Sequence, residues 1–247
     1  MKHEPLQRTR FFFVTTPLPC PYFADRLERR VVTELAGRDA SRFHDLLSLA
    51  GFRRSHGVAY IPACPGCSAC VPVRIDVDGF RSTRNWRRLR KVNADLAATW
   101  KPPAATDEQF ELFSRYQQAR HGDGDMTRMD FPDYRALIED TPIDTSLVEF
   151  RDADGVLKAA CLTDVLGDGL SAVYSYFDPI PEMEKRSLGT YMILWLIEQA
   201  RERGLPYVYL GFWIAGCRKM AYKNRFRPLE HLTRDGWRPM HPNREEF

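Results

Sequence analysis

The sequence predicts an α+β fold in two parts, a cysteine-containing domain over residues 1–100 and a larger helix-and-sheet domain over residues 101–247. Three observations predict it. Four of the six cysteines fall within the first 70 residues. Trp100-Lys101-Pro102-Pro103 interrupts regular structure, because proline removes a backbone donor and restricts the residue before it. Beyond that break, β-type runs bounded by Asp-Gly pairs alternate with helical stripes.

The N-terminal part reads as short elements around a cysteine turn. One helix is expected over Ser41 to Gly51, where Phe43, Leu46, Leu47 and Ala50 recur at helical spacing. After the prolines, Thr106 with Gln109 three residues later forms the pattern of a capping box, and Phe110, Phe113 and Ala119 carry a helix to about Arg120. Three β-type segments follow, Ser146 to Arg151, Val156 to Val165 and Leu170 to Phe177. Asp154-Gly155 and Asp168-Gly169 separate them as hairpin turns. Leu188, Met192, Trp195, Leu196 and Ala200 then stripe a helix from Ser187 to Arg203, closed by Gly204-Leu205-Pro206. Tyr207 to Phe212 reads as a buried strand, Gly216 to Arg225 as a short basic helix, and Leu229 to Trp237 as the last strands.

Composition excludes several classes. A 44% hydrophobic content over 247 residues is that of a packed globular chain. The 17 prolines and 15 glycines are scattered, so no disordered linker or internal repeat stands out. The most apolar stretch, near Tyr191 to Ile197, is far shorter than the ~20 residues of a membrane span, and the N-terminus lacks the order of a signal peptide. A cytoplasmic protein with no membrane partner is expected. The net charge of +3 is uninformative by itself, but positive charge is clustered. Arg81, Arg84, Arg87, Arg88, Arg90 and Lys91 surround Trp86 without a carboxylate, and Arg218, Lys219, Lys223, Arg225 and Arg227 repeat the pattern. Each run reads either as a phosphate-facing surface or as a solvated helix face.

Cys64, Cys67 and Cys70 make two consecutive C-x-x-C steps in a turn containing Pro65 and Gly66, a spacing that lets thiolates converge on one centre. Cys20 can return through the fold as a fourth ligand. Zinc and an iron–sulfur cluster both fit four soft donors, and reduced thiols in a tight turn are the alternative. Disulfides fit poorly with a reducing compartment. Cys161 and Cys217 read as small hydrophobes.

The element order, with Arg186-Ser187-Leu188-Gly189-Thr190 at a strand-to-helix turn, resembles the N-acetyltransferase-like (GNAT) fold, whose members bind an acyl donor beside that turn. Helix N-terminal N–H groups attract anions, and a glycine permits close approach. Tyr191 stands where that fold's cofactor loop usually carries a second small residue.

Three segments together resemble one family. They are Phe11-Phe12-Phe13-Val14-Thr15-Thr16-Pro17 leading to Cys20-Pro21-Tyr22; Gly51-Phe52-Arg53-Arg54-Ser55 leading to Tyr60 and the run from Cys64 to Arg74; and Gly211-Phe212-Trp213-Ile214-Ala215-Gly216-Cys217-Arg218-Lys219-Met220-Ala221-Tyr222-Lys223. The chain thereby resembles the arginyl-tRNA–protein transferases, and its compact length is similar to the bacterial branch, which moves leucine from leucyl-tRNA onto an N-terminal Asp or Glu and so marks proteins for N-degron degradation. The resemblance implies a cysteine-bearing domain before a GNAT-like transferase domain, with Cys20, Cys64, Cys67 and Cys70 at the positions through which some members bind an iron–sulfur cluster or zinc. It also directs the search for site residues. An acidic acceptor needs a cation, for which Arg120, Arg186 and Lys219 are candidates, with Lys223 beside them and His121 to orient the substrate. The tRNA 3′ end is expected near Arg186, Ser187, Leu188, Gly189 and Thr190, with Arg81, Arg84, Arg87, Arg88, Lys91 and Arg225 on backbone phosphates. Trp86 reads either as a base-stacking platform or as core. A general base, where one is used, is expected among Tyr174, Tyr176 and Asp178. Arginyl transfer and coenzyme A-dependent acetylation are the alternatives.

Overall fold

The computed structural model describes residues 9–122, 124–217 and 219–241. Along the chain run β1 (Phe13–Val14), β2 (Leu18–Pro19), β3 (Leu27–Glu28), β4 (Arg30–Glu34), α1 (Ala40–Leu49), β5 (Arg53–Ser55), β6 (Val58–Pro62) and β7 (Val71–Asp76). They are followed by α2 (Arg84–Val92), β8 (Ala97–Lys101), α3 (Asp107–His121), a 3-10 turn (Asp125–Arg128) and α4 (Phe131–Glu139). Next are β9 (Thr145–Arg151), β10 (Leu157–Leu166), β11 (Gly169–Phe177), α5 (Pro181–Glu184), α6 (Leu188–Glu202) and β12 (Tyr207–Trp213). A second 3-10 turn (Ala221–Arg225), β13 (Leu229–Thr233) and β14 (Gly236–Pro239) complete the described chain. The mixed α+β architecture is the one expected.

An eight-stranded sheet, ordered β14-β13-β7-β12-β11-β10-β9-β8, forms the body. Its strands β8 to β11 are antiparallel, and the β11–β12 pair is parallel. Side chains alternate across it, as the two-residue period of a strand requires. Val148, Phe150, Ala159 and Cys161 join α6 in one core, whereas Leu147, Ala160 and Leu162 join α3 and α4 in another on the opposite face. The sheet is therefore buried on both sides between two helical layers. It draws strands from both sides of residue 100, because β7 sits in its interior and β8 at its edge.

Local signals account for the helices. Thr106 accepts from the Gln109 N–H while the Gln109 side chain accepts from the Thr106 N–H, so the capping box opens α3 one residue past its cap. The α6 stripe is buried, and the helix ends at Gly204, whose φ of +67° favours glycine. Helices α4 and α5 had no expectation attached, and α2 only the alternative of a solvated helix face. Thr83 caps α2 by accepting from the Trp86 N–H, and an Asp130–Asp133 capping box opens α4.

One expectation is corrected. The basic segment from Gly216 to Arg225 is not an α-helix, and its described residues form turns and a five-residue 3-10 helix. Its anchors explain this: Phe226 is fully buried against Trp86, and the Lys223 amine reaches the Phe212 carbonyl, tying the segment to α2 and β12 at closely spaced points. Arg218 lies outside the described residues.

The N-terminal part forms a four-stranded sheet, β1-β4-β6-β5, and the β2–β3 pair. It is fastened to the large sheet by Arg54 of β5, which holds Asp164 of β10 through Nε at 2.8 Å and Nη2 at 2.7 Å, both side chains being buried. Thr145 also donates to Asp164, so the carboxylate's lone pairs are engaged, as burial of a charge demands.

Candidate active site at the sheet junction

Where β11 and β12 stop pairing, at Ser171 and Tyr209, a cavity of about 560 Å³ opens between the two sheets. Strand pairing ends there because Gly211, at φ +72°, and a register shift between Tyr209 and Gly211 turn β12 towards β7. Two chemically different regions line the space. Arg53, Lys219, Lys223 and the tyrosines Tyr22, Tyr60 and Tyr222 bring polarity, whereas Met126, Met129, Leu137 and Leu162 extend the α3/α4 core into it. Among the described residues no Asp or Glu lines it.

Electrostatics follow from burial. Lys223, 6% exposed, is held well below the usual lysine range, first by burial and then by Arg53. Burial, then Lys219 and Arg120, likewise lower His121 and favour its neutral imidazole. Tyr174 is pushed above the ordinary tyrosine range by burial, so it keeps its proton. Its oxygen accepts from Gln117 Nε2 at 2.5 Å, which leaves the phenolic hydrogen to donate elsewhere. Burial, then Tyr60 and Cys70, push Tyr22 up to about 12.

The candidates from sequence separate into two sets. Tyr174, His121, Gly189, Lys219 and Lys223 line the cavity together. Tyr176 does not: its hydroxyl lies 2.5 Å from that of Tyr134 in the α3/α4 core. Asp178 is buried beyond the end of β11, and its Oδ1 has no hydrogen-bond partner among the described residues. Arg120 lies over the Phe177 ring at 5.5 Å. Arg186 is turned away, donating through Nε to Asn93 Oδ1 at 3.0 Å and pairing with Asp95. Of the Arg186 to Thr190 run only Gly189 reaches the cavity, packed so closely on Phe177 that an added Cβ would lie 3.2 Å from the ring; Ser187, Leu188 and Thr190 form the helix start behind it.

Arg81, Arg84, Arg87, Arg88, Lys91 and Arg225 are all exposed. Arg81 and Arg87 donate to backbone carbonyls at the start of α2, while Arg90, half-buried, pairs with Glu198 of α6. Trp86 is stacked on Phe226 with ring centroids 5.3 Å apart, in the core-packing role.

The four N-terminal cysteines are near neighbours. Burial first, then Cys20, Cys64 and Cys67, push the Cys70 thiol up to about 12. Cys67 Sγ accepts from Arg26 Nη1 and Cys64 Sγ from the Arg29 N–H, each at 3.4 Å, donors suited to thiolates. The soft donor set fits zinc or an iron–sulfur cluster in chemistry, although among the described residues no three His, Cys, Asp or Glu side chains are already set for a metal ion.

The important residue that sequence reasoning missed is Arg53. It enters from β5 and donates through Nη2 to the carbonyls of Ala172, at 3.0 Å, and Val173, at 2.9 Å. The signal for it was Gly211, a glycine inside the apolar Tyr207–Trp213 strand, where such a residue marks close approach by another group.

Comparison with known proteins places the chain in a family. Residues 18–88 match the family described as Arginine-tRNA-protein transferase, N terminus, and residues 108–233 match Arginine-tRNA-protein transferase, C terminus. The chain is 58% identical over 242 residues to the aspartate/glutamate leucyltransferase of Paramagnetospirillum magneticum, covering 98% of each chain. It is 56% identical over 238 residues to that of Rhodospirillum rubrum, covering 96% of each. Among solved structures it is similar to FemX, at 10% identity and a TM-score of 0.43 over 74% of this chain and 63% of the other, a likeness too loose to bear on fold or chemistry. Among the described residues no helix is long and apolar enough to cross a membrane. On the strength of the full-length relatives and the two matched halves, the chain belongs to the arginine-tRNA-protein transferase family.

Proposed function

We propose that the cavity transfers leucine from the 3′ end of leucyl-tRNA to the α-amine of proteins that begin with Asp or Glu. The observation that carries the proposal is the lining: among the described residues, cations without a carboxylate, beside a thioether and aliphatic wall. An acidic acceptor complements the cations. A leucyl side chain complements Met126, Met129, Leu137 and Leu162, whereas a buried arginyl side chain there would lack a counter-charge. The names of the full-length relatives point the same way.

The chemistry asked of the protein is modest. An aminoacyl ester is already activated, and an N-terminal amine with a pKa of ~7.7–8.0 is partly free base at neutral pH. The amine nitrogen attacks the ester carbonyl, the C–N bond forms, and the ribose oxygen leaves with a proton that the amine gives up. Holding the reactants together supplies up to ~7–11 kcal/mol of the barrier. Tyr174, fixed by Gln117, has its hydrogen free to donate to the oxyanion. His121, kept neutral, offers a nitrogen to the amine's proton.

Outside the cavity, Arg84, Arg87, Arg88 and Lys91 on α2, with Arg81 and Arg225, form the surface for tRNA phosphates. Cys20, Cys64, Cys67 and Cys70 would hold zinc or an iron–sulfur cluster, which supplies a staple for the N-terminal sheet; elemental analysis and an absorption spectrum of anaerobically purified protein would read it. The place of action is the cytoplasm, where the modified proteins enter N-degron degradation.

Incubation with labelled leucyl-tRNA, arginyl-tRNA and acetyl-CoA, and with peptides beginning in Asp, Glu or Ala, tests the reading. Label should pass from leucyl-tRNA to the Asp and Glu peptides. Label passing only from acetyl-CoA, or only from arginyl-tRNA, would overturn it.

A further inference from the structure

Arg53 and Arg54 are consecutive in sequence and opposite in circumstance. Arg54 is neutralised by Asp164 in a two-point ion pair. Arg53 has no carboxylate partner among the described residues; only its Nη2 is engaged, by two backbone carbonyls, so its Nε and Nη1 hydrogens are unspent. The chain makes room for it deliberately in geometry: a Cβ at Gly211 would lie 1.3 Å from Arg53 Nη1, so the guanidinium occupies the volume that any other residue at 211 would fill.

Lys223 arrives at the neighbouring position on the same strand. Its Nζ donates to the Phe212 carbonyl at 2.6 Å, leaving two of three hydrogens without a described partner. Burying an ammonium without a counter-charge is unfavourable, and its position well below the usual lysine range, caused by burial and then by Arg53, expresses that cost. Two cations thus converge on consecutive residues of β12, Gly211 and Phe212, in a cavity that no Asp or Glu lines among the described residues. An arrangement of this kind is completed by an anion from outside.

We propose that Arg53 and Lys223 together form the subsite for the acceptor's acidic side chain, its carboxylate taking the free hydrogens of both and so selecting Asp and Glu over Asn and Gln. The assignment rests on the cavity being the leucyl-transfer site. It replaces Arg120 and Arg186, whose guanidinium groups lie over a ring and against Asp95, as the cations that read the acceptor.

The test is leucyl transfer onto peptides that differ only in an N-terminal Glu or Gln, measured as separate kcat and KM for the wild type, Arg53→Gln, Lys223→Met and Gly211→Ala. The wild type should prefer Glu by about 30-fold or more in kcat/KM. Arg53→Gln and Lys223→Met should lose that preference through a raised KM for the Glu peptide, while the Gln peptide changes by less than about threefold. Gly211→Ala keeps both cations but displaces the guanidinium, and should lose the preference as well; it and Lys223→Met carry the test where Arg53→Gln does not fold. A wild type that does not distinguish Glu from Gln, variants that keep the preference, or variants that lose both peptides in equal proportion would overturn the assignment, the last by marking a general structural or proton-transfer role. A wild type that transfers leucine to no acceptor ends the leucyl-transfer reading itself, and the assignment with it.

Discussion

Two basic runs that look alike in sequence have opposite fates in the fold. The run from Arg81 to Lys91 lies mostly outward on α2, with Arg84, Arg87, Arg88 and Lys91 exposed and Trp86 turned inward. The second run folds the other way at its centre: Lys223 is buried at the cavity wall, and only Lys219 and Arg225 of its described lysines and arginines are exposed. Meeting the two runs is one contact, Trp86 stacked on Phe226. Positive charge is therefore held in two different settings within the same molecule. Exposed charge is cheap to hold and salt-sensitive, suited to a phosphate backbone; buried charge is unfavourable without a counter-charge and specific in what relieves it.

The largest expected effect comes from breaking the outward run. Replacing Arg84, Arg88 and Lys91 together by Ala should weaken leucyl-tRNA binding by about 100-fold at moderate salt, and should flatten the dependence of log affinity on log salt by roughly two to three units. Filter binding across a salt series reads both quantities. An unchanged slope would assign α2 a merely solvated role.

The inward run is sharpened by pH. An unfolded lysine titrates near 10.5, and folded Lys223 titrates well below it. Between the two values the unfolded chain binds the extra proton, so stability rises with pH across that window and falls as pH drops through it. Lys223→Met should flatten this slope at alkaline pH below about 10.5 and raise the melting temperature at neutral pH, although it removes a cavity cation. Melting curves across that range check it; parallel wild-type and variant slopes would contradict it.

The smallest effect concerns how α2 is held. Thr83 accepts from the Trp86 N–H at 3.2 Å, so Thr83→Ala should cost about 1 kcal/mol in denaturant unfolding while leaving the Glu-over-Gln preference intact. A changed preference would mean that the outward run and the cavity are coupled through Trp86 and Phe226.

Legibility in the sequence followed the strength of local signals. The capping box at Thr106, the Leu188 to Ala200 stripe and the Asp-Gly turns located α3, α6 and the β9 to β11 meander, because each is written in near neighbours. The small helix expected over the second basic run failed for the reverse reason: Lys223 and Phe226 are placed by Phe212 and Trp86, which lie outside the run, Trp86 on a distant helix. The position of β7 inside the large sheet has the same origin, as its partners β12 and β13 lie more than a hundred residues away. Of the cavity lining, Lys219, Lys223, His121 and Tyr174 are legible as candidates through the chemistry they bear, whereas Arg53 needs the observation that a glycine stands where an apolar strand residue belongs.

The central claim is that one cavity admits an acylated tRNA terminus and an acidic N-terminus side by side. A structure with a non-hydrolysable leucyl-adenosine amide and a Glu-initiated peptide tests it most directly. The leucyl side chain should lie against Met126 and Met129, with the acyl carbonyl facing Tyr174 and the peptide's amine beside it. An adenosine bound elsewhere, or a leucyl group that cannot enter beside the peptide, would contradict it.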